Sequence, residues 1–211
     1  SMNIKTLGPD VNESYRAFGV NEHGEIRFGL SAIKGMGAPA ADAIVAEREK
    51  NGAYKDIFDF AQRVDFSNVN RKAFESLALS GGFDSFGIPR EDFFAKDSKG
   101  NVFLDTLVKY GQLYQREQQE AVTSLFGGVE AVEIATPPIP KGEPWSSIEK
   151  LNKERELVGI YLSAHPLDDY SIVLHSMCNT HCTELGDKEA LSKKAEIVFG
   201  GIVTALRSTF T

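Results

Sequence analysis

The stretch AIKGMGAPAADAI, Ala32 to Ile44, decides how the chain is read. Two glycines flank a lone methionine, a lysine precedes them, and a run with helical spacing follows. Glycine reaches positive φ without penalty, so this corner predicts two short helices meeting at Gly35 and Gly37. The first spans 28–34. The second runs from about Ala38 to Lys50, with Pro39 in the first turn, where its missing N–H costs nothing, and Gly52 as the stop. Its apolar face is Ala41, Ile44, Val45 and the stem of Arg48. Such a corner turns the bare N–H groups of Gly35, Gly37 and Ala38 outward at a helix start, which suits a phosphate. A helix terminus contributes only about 0.3–1 kcal/mol at an exposed site, so Lys34 and neighbouring cations must supply the rest. The other reading is the tight turn of an αα-hairpin that binds nothing.

Outward from the corner the pattern stays helical. In KDIFDFAQRV (55–64) Asp56 is the N-cap, Asp59 follows three residues on, and Ile57, Phe60, Ala61 and Val64 face inward. In NRKAFESLALSGGFDSF (70–86) Phe74, Leu77 and Ala78 recur before Gly81-Gly82 breaks the run, so helix, glycine corner, helix occurs twice. A long amphipathic helix over 101–122 carries Val102, Phe103, Leu107, Val108 and Leu113. TPPIPKGEP (136–144), with four prolines and a glycine, reads as a linker. Ser146 and Glu149 then form a capping box for a helix carrying Ile148, Leu151, Val158 and Leu162, which stops before His165-Pro166. A further short helix covers 167–177. Upstream of the first corner, LGPDVNESY (7–15) is turn-rich and NEHGEI (21–26) is a tight connection between two short strands. At the other end AEIVFGGIVTALRSTFT (195–211) takes on β character.

The 211 residues are 42% hydrophobic and 25% charged, the balance of a globular protein. No apolar run approaches the roughly 18 residues a membrane span needs, and no signal-peptide pattern opens the chain, so a cytosolic protein is expected. Ser1 ahead of Met2 reads as the remnant of a cleaved tag. Cys178 and Cys182 are too few for a disulfide framework. The net charge is −7, but residues 26–72 hold eight Lys/Arg against six Asp/Glu, whereas 117–169 hold four against ten. Any contact with nucleic acid would therefore belong to the first half. His175, Cys178, His181 and Cys182 crowd one segment with no second loop of ligands, which argues against zinc. His165 belongs to a helix end, His23 to a polar turn, and Asp56 and Asp59 to capping, although their spacing imitates a pair of Mg²⁺-binding carboxylates.

Several ordered motifs, IRFGLSAIKGMGAPAADAIVAER (26–48), FDFAQRVD (58–65), NRKAFESLALSGGFDSFGIPR (70–90) and ERELVGIYLSAHPLDDY (154–170), resemble the C-terminal third of the alpha subunit of bacterial DNA polymerase III, the C-family replicative DNA polymerases. The resemblance implies a mainly α fold: a tandem helix-hairpin-helix module with flanking helices, a short β segment at the N-terminus, and the first strand of an OB barrel, cut short, at the C-terminus. Residues 1–27 would end the fingers, and 28–90 would be the DNA-binding module. A helix and clamp-binding peptide would fill 91–128, a Pro-rich linker 129–145, a helical connector 146–195, and the start of the oligonucleotide-binding domain 196–211. That last segment is expected to be disordered or paired with a neighbouring molecule.

The DNA-binding set implied is Lys34, Gly35, Met36, Gly37 and Ala38 at the first corner, with Arg71, Lys72 and Arg90 on the same face; LALSGGFD is a looser second copy. VTSLFGG (122–128) resembles the family's peptide for the sliding clamp in Leu125, Phe126 and Gly127, with Val122 where a glutamine is usual. The alternative is that Leu125 and Phe126 pack against the preceding helix. The implied function is sequence-independent grip on duplex DNA and tethering to the clamp within a processive, cytoplasmic and nucleoid-associated DNA-directed DNA polymerase, alongside other replicase subunits and without a membrane. No catalytic residue, metal site or cofactor is assigned to this segment, and Mg²⁺ is implied only for the parent polymerase. The rivals are a stand-alone helix-hairpin-helix repair enzyme and a protein-interaction scaffold.

Overall fold

A computed structural model describes residues 5–123 and 134–203. The fold is mainly helical, with one small sheet ahead of the helices. Strands β1 (Thr6–Leu7), β2 (Gly19–Val20) and β3 (Ile26–Arg27) lie in the order β1-β3-β2, with β3 parallel to β1 and antiparallel to β2. The turn between β2 and β3 is the one expected from NEHGEI: the Asn21 carboxamide oxygen accepts the N–H groups of His23 and Glu25, and Gly24 takes φ +74°.

The helices follow their caps. Helix α1 (Ala38–Asn51) has Pro39 in its first turn and stops at Gly52, φ +85°. Helix α2 (Ile57–Arg63) begins where the Asp56 carboxylate accepts the N–H groups of Phe58 and Asp59. Helix α3 (Arg71–Ser80) is capped by Asn70 and closed by Gly81 in the left-handed region. Helix α4 is Phe103–Thr123, and α5 (Ser147–Val158) starts at the Ser146 cap. Of the apolar faces read from spacing, Ala41 and Ile44 on α1, Ile57, Phe60 and Ala61 on α2, Phe74, Leu77 and Ala78 on α3 and Leu151 on α5 are buried, whereas Val45 is half-buried and Ile148, in the first turn of α5, is exposed.

These faces converge on a line of phenylalanines. Phe60 lies 5.3 Å from Phe74 and 5.0 Å from Phe83, Phe83 lies 5.5 Å from Phe93, and Phe93 lies 6.1 Å from Phe103. Each such pair adds about 0.5–1.5 kcal/mol beyond its buried area. Arg48 closes the core on the N-terminal side. Its guanidinium is buried and donates to the carbonyls of Val11 and Ser14 at 2.8 and 2.9 Å, which ties the lead-in segment to α1.

Five expectations are corrected. The helix expected over 28–34 is only a 3-10 turn, Leu30–Ala32, because the N–H groups of Leu30 and Ser31 are spent on the carbonyls of Tyr15 and Arg16. On α4, Leu113 is 39% exposed; Leu104, Leu107 and Val108 are buried, and α4 meets α2 where Tyr110 packs on Phe58 and Gly111 lies against Ala61. Helix α5 ends at Val158, since Gly159 adopts φ +84° and returns its N–H to Arg155, leaving Leu162 in the following turn. The Pro-rich segment is no free linker over its described part: the Gly142 N–H donates to Asp92 at 2.7 Å, and Trp145 packs 5.6 Å from Phe94. Finally, residues 196–203 form no strand; the Asn179 side chain and backbone hold them through Glu196 and Val198.

Two compact units, Ser1–Ser163 and Ala164–Thr211, divide the chain. The first contains the core and the glycine corners. The second carries α6 (Ser171–Met177), α7 (Lys188–Ser192) and the Asn179-bound segment.

Gly111 shows how tightly α2 and α4 approach. A Cβ there would lie 2.3 Å from the Ala61 carbonyl oxygen and 2.7 Å from the Phe66 ring. Alanine would gain about 1 kcal/mol in helix propensity but force apart a packed interface at a cost of about 1–3 kcal/mol. Gly111→Ala is therefore expected to lower the midpoint of thermal unfolding, whereas Gly→Ala at an open helical site raises it.

Candidate nucleic-acid interface

The first glycine corner is open to solvent and rigidly held. Lys34, Gly35 and Gly37 are exposed, whereas Met36 is buried and belongs to the core. Gly35 takes φ +88°, and a Cβ on it would sit 2.7 Å from the Ser76 hydroxyl and 3.3 Å from the Lys72 side chain. Both the left-handed backbone and the close approach of α3 require glycine here. Lys34 is gripped through both of its peptide units: its carbonyl accepts the Ser76 hydroxyl at 3.0 Å, and its N–H donates to the Leu157 carbonyl at 2.9 Å.

Gly37 is the N-cap of α1, and no side chain caps that end. Among the described residues no acceptor meets the N–H groups of Gly35, Gly37 or Ala38. The Met36 N–H is spent on Ile33, so the methionine contributes packing and no donor. The free amides open on a depression of about 270 Å³, with Gly35, Gly37 and Pro39 on one wall and Ser67, Asn68 and Asn70 on the other. The second wall does not follow from the glycine pattern. Its signal is the polar run DFSNVN (65–70), in which the Asp65 carboxylate accepts the Ser67 N–H, the Ser67 hydroxyl and the Asn68 carboxamide. Those bonds, led by the one from the Ser67 hydroxyl, hold the Asp65 carboxyl below its ordinary pKa.

The cations differ in how firmly they are held. Lys72 lies against Gly35 with its side chain 63% exposed, and its ammonium comes no nearer to Glu75 than 4.0 Å. Arg71 is bound by Asp105 at 2.8 Å and Glu75 at 2.6 Å. The Asp105 hydrogen bond, chiefly, raises its pKa, so a phosphate would have to displace two carboxylates to reach it.

Arg90 is a correction. It is 3% exposed, and its guanidinium donates to Asp84, to the Leu79 carbonyl and to Glu154. It also closes the second corner: a Cβ on Gly81 would meet its Nη2 at 2.3 Å, and Gly82 and Phe83 are buried beside it. An arginine buried among carboxylates cannot face a phosphodiester, and the corner it fills offers none of the open amides found at Gly35–Ala38. Among the described residues, the structure thus brings together Lys34, Gly35, Gly37, Ala38 and Lys72, and it separates Arg90 from them.

The remaining candidates have local duties. Asp56 caps α2, and Asp59 accepts the Lys55 N–H and the Arg63 guanidinium, so neither carboxylate is free for a metal. Among the described residues no group of three His, Cys, Asp or Glu side chains could hold a metal ion. His175, Cys178 and His181 instead line a cavity of about 180 Å³ in the second unit; the Cys182 side chain is not among those described. The His165 ring accepts the Leu167 N–H at a turn. Leu125 and Phe126 lie outside the described residues, as does the side chain of Val122. Among the described residues no helix is long and apolar enough to cross a membrane.

Known proteins resemble this chain. A family model described as a helix-hairpin-helix motif matches residues 3–93. Over its whole length the chain is 34% identical to the DNA polymerase III subunit alpha of Pasteurella multocida and 34% identical to that of Haemophilus influenzae. It is 40% identical over 80% of its length to that of Chlamydia trachomatis. The chain spans 17% of the length of the first two relatives and 13% of the third.

The corner and its neighbour can be probed separately. Gly35→Ala meets both the positive φ and the Ser76 contact, and is expected to cost about 1–3 kcal/mol in denaturant unfolding. Burial pushes the Glu154 carboxyl up, but the bonds from Ser163, Leu162 and Arg90 outweigh it and leave the pKa below its ordinary value. With the folded value depressed, its contribution is complete above the unfolded pKa and lost as pH falls through the folded one. Acid titration of unfolding stability should therefore show a loss below about pH 4.3 that is smaller in Glu154→Gln, the remainder coming from other carboxyls held low, Asp65 among them.

Proposed function

We propose that this chain, homologous throughout to one segment of the DNA polymerase III alpha subunits, grips duplex DNA by its phosphates without reading its sequence. The single observation that supports this most strongly is the uncapped cluster of amides at the exposed Gly35 and Gly37 and the half-buried Ala38, flanked by Lys34 and Lys72, inside a stretch matched by a helix-hairpin-helix family. Backbone amides and lysines meet any phosphate equally, so they position a duplex and carry no base preference. With Lys34 and the loosely paired Lys72 at the corner, about two phosphates are neutralised, which gives a shallow salt slope near −2 and weak affinity in isolation.

In the parent protein this grip would hold newly made duplex behind the polymerase centre. It adds processivity, while DNA-directed nucleotidyl transfer and its Mg²⁺ belong to other parts of the chain; Asp56 and Asp59, committed to capping, do not fit the ion. Weak binding suffices if a second contact raises the effective concentration of DNA. We assign that contact to a clamp-binding peptide at Leu125 and Phe126, whose two apolar side chains would anchor in a pocket without the glutamine replaced by Val122. The second helix-hairpin-helix copy serves as structure, and the stretch from Glu196 is read as the approach to an oligonucleotide-binding barrel. Other replicase subunits would complete the assembly in the cytoplasm.

Gly37→Asp separates binding from folding. Gly37 has φ −74°, and a Cβ added there would make only ordinary contact, the nearest atom being Pro39 Cδ at 3.5 Å. An aspartate there caps α1 and gains a few tenths of a kcal/mol, yet its carboxylate occupies the amides and repels phosphate. Duplex titration across a salt series should show tighter binding at low salt for the unaltered chain, a loss of about tenfold or more in Gly37→Asp, and a slope about 0.9 shallower in Lys72→Ala. Salt-independent binding, or none, would favour the protein-interaction scaffold.

A further inference from the structure

We propose that helix α5 is a working part of the nucleic-acid module, a brace that holds the Lys34–Gly37 corner in its binding conformation through Glu154 and Leu157. The proposal rests on the phosphate-binding reading of that corner. Helix α5 lies outside the matched stretch 3–93, separated from it in sequence by all of α4 and the Pro-rich segment. Yet one face of it reaches both glycine corners. Glu154 and Leu157 are three residues apart and share that face, along with the buried Leu151.

Toward the second corner, Glu154 is 1% exposed and fully engaged. Its Oε2 accepts Arg90 Nη1 at 3.1 Å and the Ser163 hydroxyl, and its Oε1 accepts the N–H groups of Leu162 and Ser163 at 2.7 and 2.9 Å. Arg90, in turn, is the group that fills the space at Gly81. Toward the first corner, the Leu157 carbonyl accepts the Lys34 N–H at 2.9 Å, one residue before Gly35. The two bonds fix the successive peptide units on either side of Lys34, the 33–34 unit on α5 and the 34–35 unit, which carries the Gly35 N–H, on Ser76 of α3, and so set the direction in which the chain enters the Gly35–Gly37 turn. The second corner, closed to phosphate, becomes the anchor point from which α5 positions the first. Glu154 is a positioning residue: it touches no DNA.

The test uses the full chain. Glu154→Gln keeps the shape and the acceptor for Leu162 and Ser163 but sets an amide N–H₂ or a neutral oxygen against Arg90. Amide hydrogen exchange is followed at Lys34 and, as an internal reference, at Phe60 and Phe74, and duplex binding is titrated in parallel. The expected result is faster exchange at Lys34 relative to the two core amides, with duplex affinity down about fivefold and the salt slope unchanged, because no cation at the DNA is removed. Unaltered relative protection at Lys34 would overturn the brace, as would faster exchange with unchanged affinity, or a flattened slope, which reports a lost phosphate contact. Should Glu154→Gln fail to fold, Leu151→Ala on the same face gives the same readings. If the unaltered chain binds no duplex, the phosphate-binding reading falls by itself, and exchange at Lys34 alone decides whether α5 holds the corner.

Discussion

The Lys34–Gly35 peptide is the point on which the rest depends. Its carbonyl is taken by Ser76 of α3, the Lys34 N–H by the end of α5, and the next residue has no room for a side chain. This constraint turns a flexible glycine pair into a fixed corner. Fixation matters because amides that must be ordered on binding lose their advantage to entropy, whereas amides already aimed at solvent do not. The core beneath supplies the rigidity: Met36 and Ile33 are buried on either side of the corner, and the phenylalanine line from Phe60 to Phe103 backs α3.

Two corners of similar composition have opposite fates, and electrostatics explains the difference. At Gly35–Gly37 the neighbouring cations stay in water and keep their charge available. At Gly81–Gly82 Arg90 is withdrawn from water and satisfied by Asp84, Glu154 and the Leu79 carbonyl. Removing one member of such a buried pair leaves the other uncompensated, at a cost of about 3–5 kcal/mol, so the arrangement is locked once formed. Among the described residues no buried side-chain nitrogen or oxygen lacks a partner, and the lock is complete. One corner is left open to solvent and the other is closed by Arg90.

The acidic total of the chain does not oppose this. Carboxylates around the first corner are mostly committed: Asp65 to its own turn, Asp56 to the α2 cap, Asp42 to Arg16. Salt screening over roughly 8 Å at physiological ionic strength confines the influence of the acidic second half, so a local pair of lysines can govern the corner.

Much of this was written in the sequence. Helix caps at Asp56, Asn70 and Ser146, the stop at Gly52, and the buried faces of α1 to α3 follow from local chemistry and from the period of 3.6, and the exposed corner from glycine's freedom at positive φ. Local rules could not show that 28–34 shrinks to one turn, because its N–H groups are claimed by residues 15 and 16 from another part of the chain. Nor could they separate Lys72 from Arg90. Both are cations beside a glycine corner in sequence, but one meets solvent and the other meets Glu154, 64 residues away. The sequence by itself determined which segments are helical and which bend could present bare amides. The tertiary structure alone decided which bend is open, since burial and charge pairing are set by distant neighbours that no local pattern records.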